Sequence, residues 1–72
     1  MLIPGSLYVY NRHDLYFVDK GQPFFVYSIR FVRPYYMVQL LVGTKLWNVP
    51  MNEYFMKDLK KYNVWSRQII YV

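Results

Sequence analysis

Seventy-two residues leave room for one domain, and the opening Met1 reads as the start of a complete small protein. With no cysteine, disulfides and a Cys-based zinc site are excluded, so stability must come from packing, for which a 56% hydrophobic and 22% aromatic composition supplies ample material. Nine Lys and Arg against four acids give a net charge of +5, which turns the expectation toward acidic partners.

Ser6 to Tyr10 reads as a short strand, followed by the polar break Asn11-Arg12-His13-Asp14, the apolar run Leu15 to Val18, and a turn at Asp19-Lys20-Gly21. From Phe24 to Val32 the sequence alternates, with Phe25, Tyr27, Ile29 and Phe31 expected on one face and Ser28 and Arg30 on the other. Arg33-Pro34 interrupts it as a tight turn, because proline lacks the amide proton a ladder needs. Tyr35 to Val42 then places Tyr36, Val38, Leu40 and Val42 on one face. Gly43-Thr44 is a Gly-X pair suited to a two-residue hairpin turn, and Lys45 to Val49 returns as a strand that completes a meander.

The pattern changes at Pro50. Met51, Tyr54, Phe55, Leu59 and Tyr62 recur at spacings of three and four, which predicts one helix near residues 51–62. Asn48 or Asn52 is its candidate cap, Glu53 sits near the positive end of the dipole, and Lys57, Lys60 and Lys61 lie toward the negative end. The tail, Val64 to Val72, alternates and reads as a C-terminal strand that pairs inside the domain or joins a second copy as a homodimer. The longest apolar stretches, such as Tyr35 to Val42, fall short of half the roughly 20 residues of a membrane span, and no secretory leader is visible. The expectation is therefore a cytoplasmic protein without a membrane segment.

Taken in order, Ser6-Leu7-Tyr8-Val9-Tyr10, Asp14-Leu15-Tyr16-Phe17, Lys20-Gly21 and Phe25-Val26 resemble the opening of an SH3 domain: an Ala-Leu-Tyr-Asp-Tyr strand, an Asp/Glu-Leu-Ser-Phe segment, a Lys-Gly-Asp turn and a strand. Downstream, Gly43 followed by Val49-Pro50-Met51-Asn52-Glu53-Tyr54-Phe55 is similar to the family's glycine and its Pro-x-Asn-Tyr-Val helical turn. The resemblance implies a mainly β (or α+β) fold, a small SH3-like barrel of about five strands. It also implies a ligand groove around Tyr8, Tyr10, Tyr35 or Tyr36, Pro50 and Tyr54. The chain departs from the family in three places: Val9 replaces an Asp, the acidic cluster of the first loop is missing, and Tyr35 or Tyr36 stands for the groove tryptophan. Without those acids, a basic domain would repel the basic flanks of the family's proline-rich ligands.

Enzyme chemistry lacks its parts. The single histidine, His13, stands beside Asp14 in a loop segment, and Ser6, Ser28 and Ser66 are scattered without a nucleophile elbow. His13, Asp14 and Asp19 have no recurring ligand spacing, and no glycine loop cradles phosphate, so no catalytic residue, metal or cofactor is expected. The leading expectation is a non-enzymatic binding module that engages an acidic protein partner through an exposed aromatic strip. Its size and Tyr-, Asn- and Lys-rich composition suit a viral accessory or inhibitor protein. The alternative is nucleic acid binding. No acid occurs between Lys20 and Asn52, a span that mixes Arg30, Arg33 and Lys45 with rings able to stack on bases.

Overall fold

A computed structural model of the chain describes residues 2–63 and 68–70. Its elements run β1 (Ser6–Val9), β2 (Phe24–Val32), β3 (Tyr35–Val42), β4 (Lys45–Met51), α1 (Glu53–Lys57), β5 (Lys60–Asn63) and β6 (Gln68–Ile70). All pairings are antiparallel, in the spatial order β4-β3-β2-β1-β5-β6. The protein is therefore mainly β, as its alternating sequence predicts, with one short helix among the described residues. Among the described strands no pairing joins β4 back to β5 or β6, so the sheet stays open and the expected barrel closure is absent.

The β2–β3–β4 meander forms where predicted because each turn has the chemistry it needs. Gly43 adopts a φ of 61° at the first position of its two-residue turn, a conformation that costs glycine little, and Val42 pairs directly with Lys45 across it. Arg33-Pro34 makes the other turn, with a cis peptide bond, and Val32 pairs with Tyr35. β4 runs on through Pro50 to Met51, past its expected end at Val49. An edge strand tolerates the missing amide proton.

One side of the sheet carries the core. Phe24 and Val26 of β2, Val38 and Leu40 of β3, and Val49 and Met51 of β4 pack there with Tyr8, Met56 and Leu59. The expected face of β2 is corrected at its first half. Val26 pairs with Leu40 and Ser28 with Gln39, so Tyr27 is left over as a β-bulge and the side-chain parity switches. Before the bulge the core residues are Phe24 and Val26, while Phe25 is half-buried and Tyr27 is exposed. After it, Ile29 takes the core side opposite Val38.

The long predicted helix is also corrected. α1 spans five residues and stops where the Asp58 amide donates to the Phe55 carbonyl at 3.0 Å. Asn52 is the cap: its side-chain oxygen accepts from the Phe55 amide at 2.8 Å. The stripe that suggested further turns is divided between two structures. Met51 ends β4, and Lys60–Asn63 becomes a strand that pairs with β1, Tyr8 against Lys61 and Val9 against Lys60. Pairing closes backbone hydrogen bonds along β1 that two further helical turns would leave open. Of the predicted terminal strand, Gln68–Ile70 pairs within the chain on β5, and the remainder of Val64 to Val72 lies outside the described residues. Among the described residues no helix is long and apolar enough to cross a membrane.

Candidate partner-binding groove

Where the β2–β3 turn approaches the start of α1, a groove of about 300 Å³ opens, lined by Phe31, Arg33, Pro34, Tyr36, Asn52, Glu53 and Tyr54. Three local decisions build it. The Arg33-Pro34 turn brings Phe31 and Tyr36 into register on adjacent strands, with ring centroids 5.0 Å apart. Tyr36 is half-buried and pairs with Met51, which anchors the ring on the core. The Asn52 cap then sets the first turn of α1, and Glu53 and Tyr54 follow at the rim.

Exposure separates the wall from the floor. Phe31 is 58% exposed and Tyr54 81% exposed, so two rings stand open to solvent at one site. The Lys57 ammonium lies 5.8 Å from the centroid of the Tyr54 ring, within cation–π range, and Arg33, also exposed, lines the groove. Two cations and one acid, Glu53, therefore frame an aromatic and proline surface.

The residues expected around a ligand divide between three places. Tyr36 and Tyr54 line the groove. Tyr35 and Pro50 lie on the opposite face of the sheet, since each alternates with a core-side neighbour, Tyr36 and Met51. Tyr8 and Tyr10 are buried. They are 3% and 5% accessible, and both belong to the core. Their hydroxyls are satisfied inside the domain, which permits the burial. The Tyr8 hydroxyl accepts from the Ile3 amide at 2.8 Å, and the Tyr10 hydroxyl lies 3.2 Å from Nε2 of His13 while its ring packs 5.1 Å from that of Phe55.

The three cations of the nucleic-acid alternative are dispersed. Arg33 lines the groove. Arg30, opposite Met37, shares a face with Pro50, whereas Lys45 lies in the alternation of Trp47 and Val49 on the other face, its ammonium 4.2 Å from the Trp47 ring centroid. His13 is exposed, with Nδ1 2.9 Å from the Asp14 carbonyl and Nε2 engaged by Tyr10, so both ring nitrogens serve the loop that precedes β2. Among the described residues no three His, Asp or Glu side chains come together as metal ligands.

Four groove residues were not anticipated: Phe31, Pro34, Asn52 and Glu53. Phe31 was assignable only to the inner face of β2, and nothing in its spacing says that the face runs out past the core at the turn. The Pro34 turn was legible as local structure and Asn52 was one of two candidate caps, but their meeting in space was not legible. No protein-family model, curated protein or solved structure matches this chain.

Proposed function

We propose that the protein is a non-enzymatic binding module whose groove takes an extended segment of an acidic protein, acting as an adaptor or as an inhibitor that covers its target. The observation that carries this reading is the set Phe31, Tyr36 and Tyr54 beside Arg33, in a chain of net charge +5. Burying each open ring supplies about 1.5–3 kcal/mol, and Tyr and Arg are the residue types over-represented among binding hot spots. An apolar or proline side chain of the segment seats between Phe31 and Tyr54, and its carboxylates face Arg33 and Lys57. Glu53 disfavours a basic flank at the same rim. A short helix directly after the Pro50 segment, and a β1-loop-β2 opening, support an SH3-like arrangement with changed ligand charge preference.

The test is an array of extended peptides that vary acid content around one aromatic or proline anchor, followed by an NMR titration of the best binder. Shifts centred on Phe31, Arg33, Tyr36 and Tyr54, with at least about tenfold weaker binding for Arg33→Glu and for Tyr54→Ala, are expected. Single-stranded oligonucleotide is the competing probe. If it binds in preference to every peptide, or if both variants bind the selected peptide unchanged, the groove reading falls.

A further inference from the structure

The face of the sheet opposite the core is laid out in rows that run across the strands. Leu7 pairs with Phe25, Phe25 with Leu41 and Leu41 with Leu46, an unbroken apolar row over β1, β2, β3 and β4. Tyr27, the bulge residue, extends it, its ring 6.3 Å from that of Phe25. The next row is uncharged and polar: Ser28, Gln39 and Asn48, with the Ser28 hydroxyl donating to Oε1 of Gln39 at 3.2 Å. The third is Arg30, Met37 and Pro50.

Leu46 is 55% exposed, Tyr27 61%, Val32 46% and Tyr35 49%, all on the side away from the core. Each leaves on the order of 100 Å² open, so with Phe25, Leu41 and Met37 the face offers about 500 Å². That is the scale of the largest apolar patch on a monomer, and twice it reaches the roughly 1,000 Å² at which specific interfaces begin.

Charge selects the occupant. Of the described residues on β2, β3 and β4, Arg30 is the single charged side chain on this face, and no acid occurs between Lys20 and Asn52. The face therefore lacks the electrostatic signature by which a basic protein attracts a charged partner. What it complements is a surface of the same rows. We propose that it is a two-fold interface between two copies of this chain, packed sheet on sheet. A two-fold axis running along β3 lays each row on its own kind: Leu41, Gln39 and Met37 meet their counterparts, and Phe25 meets the second copy's Leu46. Amides both donate and accept, so the Gln39 pair can satisfy itself, and the same axis sets Arg30 over Pro50, away from the other Arg30. Lys45, the other cation on β2, β3 and β4, lies on the opposite face beside Trp47.

Sedimentation equilibrium between about 10 µM and about 1 mM tests it, because an interface at the lower size limit gives a weak dimer. The expected result is a mass that rises from 8.9 kDa toward twice that value. The double variant Leu46→Lys with Tyr27→Lys changes two exposed side chains and is expected to weaken the dimer at least tenfold, with an unchanged circular dichroism spectrum. Tyr54→Ala is expected to dimerise like the parent, which separates this surface from the groove. A mass that stays at 8.9 kDa up to the highest concentration overturns the proposal. So does a dimer that the folded double variant leaves intact.

Discussion

Two tyrosines that look alike in the sequence should respond in opposite ways to the same truncation. Tyr10 is 5% accessible, stacks near Phe55 at 5.1 Å and shares its hydroxyl with His13, whereas Tyr54 is 81% accessible. Removing a buried ring costs about 3–5 kcal/mol, and the lost aromatic pair belongs within that range. A 72-residue domain has about 4–11 kcal/mol of stability at the usual value per residue, so Tyr10→Ala should consume between about a quarter and all of it. The melting temperature should fall by roughly 12–40 °C, or the variant should be largely unfolded. Tyr10→Phe keeps the ring and loses only the contact with His13, for about 1 kcal/mol. Tyr54→Ala should lie within about 0.5 kcal/mol of the parent. Urea unfolding followed by circular dichroism and tryptophan fluorescence reads all three, with an unchanged slope showing that the comparison is sound. A Tyr10→Ala loss below about 1 kcal/mol, or a Tyr54→Ala loss as large as that of Tyr10→Ala, would refute the division into core and surface.

Asn52→Ala removes the oxygen that accepts from the Phe55 amide and should cost about 1 kcal/mol in the same urea assay, while Asn52→Asp should restore most of it. Gly43→Ala meets no atom within 4 Å, so its expected loss of about 1 kcal/mol is purely the cost of holding alanine at a φ of 61°; a neutral result would mean that the hairpin turn relaxes. Arg12→Ala breaks the 3.0 Å ion pair with Asp58, but the two side chains are 66% and 40% exposed, so thermal unfolding at physiological salt should shift by less than about 0.5 kcal/mol.

The strand pattern was legible because it depends on near neighbours. Val38 and Leu40 alternate with Met37, Gln39 and Leu41, and that two-residue period places them on the core face wherever β3 lies in the sheet. Gly43 and Pro34 mark their turns by backbone restrictions that any context would respect. The helix was half legible. Asn52 was one of two candidate caps and is the one that starts it, but the apolar spacing from Met51 to Tyr62 serves two strands as well as one helix.

The candidate groove was less visible. Of the tyrosines that the sequence places around a ligand, Tyr36 and Tyr54 belong to it, yet Tyr8 and Tyr10 are core. A tyrosine's composition signal is the same in both settings; what differs is whether its hydroxyl finds a partner within the fold, and Ile3 and His13 provide those partners from segments close in sequence. By itself, then, the sequence determined a basic, mainly β domain with a three-strand meander and its turns, and narrowed the helix cap to Asn48 or Asn52, since those follow from local backbone chemistry and period. Only the tertiary structure decided the rest. The leftover Tyr27 switches the parity of β2, β5 claims residues that a helix could have used, and the Arg33-Pro34 turn meets Tyr54 across the sheet. Each of these is a choice between locally equivalent alternatives, and long-range pairing and burial are the terms that distinguish them.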